Sequence, residues 1–68
     1  MLHLALETER EEDGPWIAEI PELPGVLVYG QTEQEAIARA EALGLRVIAE
    51  RLENGEMPAA LHIEFMTA

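Results

Sequence analysis

The sequence of 68 residues is long enough for a single domain. It contains no cysteine and no serine, which excludes disulfides, thiolate metal ligands and serine or cysteine nucleophiles. Fourteen acidic residues against four arginines give a formal net charge of −10, which argues against a nucleic-acid partner, because binding to phosphates depends on basic side chains. The charge favours a basic protein partner. Composition leaves open the alternative that the acidic excess only maintains solubility.

The predicted core is thin, because a chain this short buries a smaller share of its surface on folding than a long chain does. Without disulfides, self-association into a dimer or tetramer is the expected compensation. The apolar positions from Leu2 to Leu6 are too few for a secretory signal and follow no basic residues. No apolar run reaches the length of a membrane span. We therefore expect a cytoplasmic protein with no membrane contact and no cofactor.

Three strands are predicted in the first half of the chain. They cover residues 2–8, 16–20 and 26–30. The first shows a strict alternation of apolar and polar residues, and Pro21 marks the end of the second because proline cannot donate to a ladder. Pro24 and Gly25 suit the two central positions of a type II turn that leads into the third strand. Short connections between these strands predict an antiparallel meander.

One long helix is predicted over residues 33–53. Thr32 can cap its N-terminus while Glu35 reaches back to a free N–H, the pattern of a capping box. Asn54 and Gly55 are typical of a helix end. A glycine in the middle of the helix, Gly44, predicts that the helix backbone approaches the sheet closely there.

A fourth strand is predicted over residues 61–66, where alternation returns. A right-handed crossover through the helix would place it parallel to the first strand. The predicted fold is therefore α+β, in the order β-β-β-α-β, with a four-stranded mixed sheet ordered 3-2-1-4 and one helix on one face. The other face, which would carry Glu19 and Tyr29 among others, remains available for a partner or a second copy.

Two groups of polar residues suggest alternative chemistry. His3 and His62 would face the same way, with Glu7 and Glu64 nearby, and such ligands suit a divalent metal. Histidines on the wet face of a sheet are more often only solvated, and we expect no metal site.

The carboxylates of Glu7, Glu19 and Glu64 lie on predicted strands, where a metal-dependent nuclease would hold its ions. A solvent-facing strand carries glutamates in any case, and no phosphate-binding glycine loop is present. We therefore expect no catalytic residues and no enzyme activity.

Two motifs at a fixed spacing, the run from Trp16 to Val26 and the run from Gly30 to Ala36, resemble the HicB-like antitoxin family. In that family an aromatic-rich strand ends in an acidic residue, a variable residue and Pro-Gly-Cys. A second strand then leads to Gly-Asp/Glu-Thr-x-x-Glu-Ala at the start of a long helix. Val26 stands here in place of the cysteine and Gln31 in place of the acidic residue. The resemblance covers residues 16–58.

The resemblance implies a partial, degenerate ribonuclease-H-like domain without nuclease activity. It also implies that the domain binds and neutralises a small basic toxin of the HicA type, which cleaves mRNA. Longer family members carry a C-terminal DNA-binding segment, for which residues 1–68 leave no room after the fourth strand, so we expect one HicB-like domain and no direct contact with nucleic acid. The structural motif residues carried over are Pro24, Gly25, Gly30, Thr32, Glu35 and Ala36.

The toxin contacts cannot be taken from the motif. We expect them on exposed acidic and apolar groups around Glu22 and Leu23 and on the open face of the sheet, where Glu19 and Tyr29 lie. The alternative function is a stand-alone homo-oligomer without a toxin partner, with a metal-dependent nuclease as a further alternative.

Overall fold

The computed structural model describes residues 1–59 and 62–67. Its elements are β1 (Leu2–Arg10), β2 (Trp16–Glu19), β3 (Leu27–Gly30), α1 (Glu33–Glu53) and β4 (Ile63–Thr67). The first three strands form an antiparallel meander, and β4 lies parallel to β1. The strand order is β3-β2-β1-β4. This confirms the predicted α+β fold and its sheet order.

Most strand ends differ from their predicted positions by one or two residues. β1 extends to Arg10, because its charged last residues pair with the first residues of β2. β2 ends at Glu19, β3 begins at Leu27, and the helix has the predicted bounds. Leu61, the predicted first residue of the fourth strand, lies outside the described residues.

The turn between β2 and β3 has the geometry that its sequence predicts. Val26 donates its N–H to the carbonyl of Leu23 at 3.0 Å. Gly25 has a φ of 94°, which a residue with a Cβ rarely adopts. The two exposed residues Pro24 and Gly25 therefore reverse the chain, while Leu23 and Val26 on either side of them enter the core.

The start of α1 is capped by Thr32, whose hydroxyl accepts the N–H of Glu35 at 3.0 Å. Glu35 also reaches back, but it accepts the N–H of Gln31 at 3.0 Å. The predicted capping box requires the N–H of Thr32 at that position, so this detail of the prediction is wrong. β3 ends at Gly30, so the N–H of Gln31 lies beyond the strand ladder and is free to bond Glu35.

The end of α1 also follows its sequence signal. Gly55 donates to the carbonyl of Leu52 at 3.2 Å and Glu56 donates to that of Arg51 at 2.8 Å. These two bonds satisfy carbonyl groups that the last turn of a helix leaves free.

The core lies between α1 and the face of the sheet that carries Leu4 and Leu6. Its buried helix residues are Ala36, Ala40, Gly44 and Ile48, three of them small. A Cβ placed on Gly44 would lie 2.8 Å from Cδ1 of Ile20, which confirms the predicted close approach of the helix to the sheet. The remaining buried apolar residues are Leu4, Leu6, Ala18, Ile20, Leu23 and Val26.

The closest backbone approach involving a glycine joins the end of β3 to the first turn of α1. A Cβ on Gly30 would lie 2.5 Å from the amide nitrogen of Ala36 and 2.9 Å from its Cα. Both residues are buried, and Ala36 is fully so. The position therefore requires glycine because the backbones of β3 and α1 meet there. Gly30 ends the strand and also permits this close contact with the helix.

We expect Gly30→Ala to destabilise the fold by about 3 kcal/mol, because the added methyl group overlaps backbone that cannot rotate away. Urea unfolding followed by circular dichroism measures this change. Gly14→Ala is the matched control, since no atom lies within 4 Å of a Cβ at that position. Equal stability of the two variants would contradict the proposed backbone contact.

Candidate protein-binding surface

The helix covers one face of the sheet and leaves the other open to solvent. Leu4 and Leu6 point to the helix and are buried, so the odd-numbered residues of β1 point the other way. The pairing registers extend this assignment to the other strands. The residues of this uncovered side, which we call the open face, are His3, Ala5, Glu7, Glu9, Ile17, Glu19, Leu27, Tyr29, Glu64 and Met66.

An acidic group lies at the centre of the open face. Glu7 on β1 is directly opposite Glu19 on β2, and Glu9 is opposite Ile17. These four residues line a small depression in the sheet surface together with Thr8. Like charges directly opposite on neighbouring strands are destabilising. None of the three glutamates makes an ion pair within the described part of the chain, so their charge attracts external cations.

Apolar side chains border this acidic group along β3. Leu27 lies opposite Glu19, and Tyr29 lies opposite Ile17. Leu27 is 47% exposed and Tyr29 is 52% exposed, so both side chains present apolar surface to solvent. The β1–β3 part of the open face therefore presents acidic and apolar side chains next to each other.

The histidines lie at the other end of the open face, beside Glu64. Nδ1 of His3 is 3.4 Å from one carboxylate oxygen of Glu64, and Nε2 of His62 is 3.6 Å from the other. Over residues 1–59 and 62–67, no three potential ligands are arranged to hold a metal ion. Glu64 aligns with His3, which places it about 13 Å along the sheet from Glu7. The three carboxylates considered for nuclease chemistry are therefore not brought together.

Two of the four expected contact residues, Glu19 and Tyr29, lie on the open face. Glu22 is exposed, but its carboxylate accepts the N–H of Ala5 at 3.2 Å. That N–H lies beyond the end of β2 and has no strand partner there. Glu22 therefore has a structural role at the end of the sheet.

The expectation that Leu23 is an exposed contact residue is wrong. Its side chain is only 3% exposed and belongs to the core. The turn at Pro24 and Gly25 carries Leu23 inward, so that its Cδ1 lies 3.5 Å from the position of a Cβ on Gly44.

Sequence reasoning did not single out Ile17 and Leu27 as open-face residues. Both were within its reach, since alternation along a strand places Ile17 beside Glu19 and Leu27 beside Tyr29 on one face. The opposition of Glu7 and Glu19 was not, because it depends on the register that the β1–β2 connection sets.

Comparison with known proteins adds no assignment: no family model, no curated protein and no solved structure matches this chain. Among the described residues, no helix has the length and apolar character needed to cross a bilayer.

We expect Glu19→Gln to stabilise the protein by about 0.5 kcal/mol at low ionic strength, because it removes a repulsion between directly opposed carboxylates. Urea unfolding in increasing NaCl should show the gain shrinking as the charges are screened. Glu41→Gln, which removes one charge from the helix, is the control. If both variants gain equally, the effect comes from net charge and the opposed pair is not its source.

We expect Glu22→Ala to destabilise the fold by about 1 kcal/mol, because the N–H of Ala5 loses its acceptor. Hydrogen exchange should become faster at the amide of Ala5 specifically. Glu12→Ala removes a comparable charge from the exposed β1–β2 connection and should leave that amide unchanged. Unaltered exchange at Ala5 in Glu22→Ala would show that the bond is not maintained in solution.

Proposed function

We propose that this chain is a HicB-like antitoxin-type binding module that sequesters a small basic, mRNA-cleaving toxin of the HicA type. The two motifs that resemble the family support this proposal, and they lie in the turn and the strand–helix junction that organise the fold. The single observation that carries it is the position of Glu7 directly opposite Glu19, with no ion pair to either carboxylate among the described residues. The exposed side chains of Leu27 and Tyr29 border this pair. We propose further that this domain has the partial ribonuclease-H-like fold of that family.

The mechanism would be electrostatic and steric, and no bond is broken. A protein that cleaves RNA must present basic side chains to phosphates. The carboxylates of Glu7 and Glu19 would compete with RNA for those cations, while Leu27 and Tyr29 bury apolar surface against the toxin. Each positive charge that enters the acidic group also relieves the repulsion inside it. Because the toxin's substrate is mRNA, the proposal places both proteins in the cytoplasm.

The proposal predicts that the immobilised protein retains a small basic protein from a lysate of its source at low salt and releases it at high salt. The salt dependence follows from screening of exposed charges over about 8 Å at physiological ionic strength. The released protein should cleave mRNA, and added wild-type chain should stop the cleavage. Failure to retain any RNA-cleaving protein would contradict the proposal.

Two double variants, each of which reverses two negative charges, test whether the open face is the binding surface. Glu7→Lys/Glu19→Lys should abolish both retention and inhibition. Glu50→Lys/Glu53→Lys makes the same change in net charge on exposed helix positions away from the open face and should preserve both. If the two double variants behave alike, net charge is responsible and the open face is not the binding surface.

The alternative function is a stand-alone homo-oligomer with no toxin partner. The observation that favours it is the unpaired outer edge of β4 within the described residues. Retention of the chain alone in the lysate experiment, with no RNA-cleaving activity, would favour this alternative.

A further inference from the structure

The two outer edges of the sheet differ in how they are protected. At the β3 edge, Nη1 of Arg39 donates to the carbonyl of Tyr29 at 2.9 Å, and Nη2 lies 3.4 Å from the carboxylate of Glu35. The guanidinium occupies a backbone acceptor that a foreign strand would need. Proteins commonly block strand edges in this way to prevent unwanted pairing. The β3 edge is therefore unsuited to strand addition.

The β4 edge has no such protection among the described residues. β4 pairs with β1 alone, and the N–H of Leu2 donates to the carbonyl of His62 at 2.8 Å. Backbone groups alternate in direction along a strand, so the even-numbered residues of β4 bond to β1. The N–H and C=O groups of Ile63, Phe65 and Thr67 consequently point outward. These unpaired groups form a template for another strand.

We propose that β4 pairs antiparallel with β4 of a second copy of this chain, about a two-fold axis at Phe65. An antiparallel pair uses facing residues that exchange both backbone bonds. In this register Phe65 faces Phe65 of the second copy and Ile63 faces Thr67, so all three outward-pointing residues are paired. The result is one continuous sheet through both copies, with an isologous interface in which each copy contributes the same surface.

The side chains of β4 favour this register over the register centred on Glu64. A shift of the axis to Glu64 would place two carboxylates directly opposite each other, which is destabilising. With the axis at Phe65, each Glu64 lies opposite Met66 of the other copy. Met66 is 48% exposed in the single chain and would be partly covered by the pairing.

The helix leaves room for the second copy. α1 packs on β1, β2 and β3 and makes little contact with β4. Ile63 and Phe65 are only half-buried on the helix side of β4. The pairing would bring the two Phe65 side chains together on the helix side of the sheet. It would cover apolar surface that is exposed to solvent in the single chain. The acidic group at Glu7 and Glu19 lies elsewhere in the sheet and stays accessible, so the dimer does not depend on the proposed toxin.

A pair of opposite charge changes at Met66 tests the register. In Met66→Glu, the new carboxylate of each copy would lie opposite Glu64 of the other copy, so the dimer would contain two pairs of like charges. This substitution should raise the dimer dissociation constant about tenfold or more. Met66→Lys would create opposite charges at the same places and should lower it. Leu45→Glu and Leu45→Lys make the same changes in net charge at an exposed helix position and should shift the constant less. Sedimentation equilibrium from about 1 μM to about 1 mM measures the constant for each chain.

Hydrogen exchange gives a second, residue-specific readout. The amides of Phe65 and Thr67 should be protected at high protein concentration and exchange quickly at low concentration, whereas those of Glu64 and Met66 should be protected at both. A wild-type chain that is monomeric throughout overturns the proposal. So does equal weakening by Met66→Glu and Leu45→Glu, or protection of Phe65 that does not depend on concentration.

Discussion

The close approach of Gly30 to Ala36 determines how the rest of the molecule is arranged. Two backbones touch there without an intervening side chain, and the capping bonds of Thr32 and Glu35 lie in the few residues between them. This contact joins the end of β3 to the first turn of α1 and directs the helix across β2 and β3. The covered face, the open face and the sparsely covered β4 all follow from the path that the helix takes.

Local signals predicted the fold because each acts over a few residues. Pro24 and Gly25 specify a turn, Thr32 specifies a helix start, and the right-handed crossover leaves one position for β4. The errors concern groups whose partners are set by tertiary structure. Glu35 bonds Gln31 because β3 ends just before it, and Leu23 is buried because the turn delivers it beneath the helix.

The candidate site was predictable only in part for the same reason. Alternation assigns Glu19 and Tyr29 to one face, but their neighbours across the sheet depend on register. The opposition of Glu7 to Glu19 violates the usual preference for unlike cross-strand charges. Violations of local rules are expected at functional positions, where stability is sacrificed for binding. The proposed function depends on this unfavourable pair, which is the structural observation behind it.

The pairing of β4 with β1 also has a consequence for the order of folding. Leu2 pairs with Ile63, so this parallel ladder joins residues that lie far apart in the sequence. The entropy of closing so long a loop delays it. The meander and the helix form through contacts between sequence neighbours, and β4 adds little to the helix interface. β4 should therefore dock last and detach first, as a separate opening unit that native-state hydrogen exchange would reveal. In that order β4 attaches to and detaches from a preformed sheet reversibly. Exchange of its inner amides only through global unfolding would exclude it.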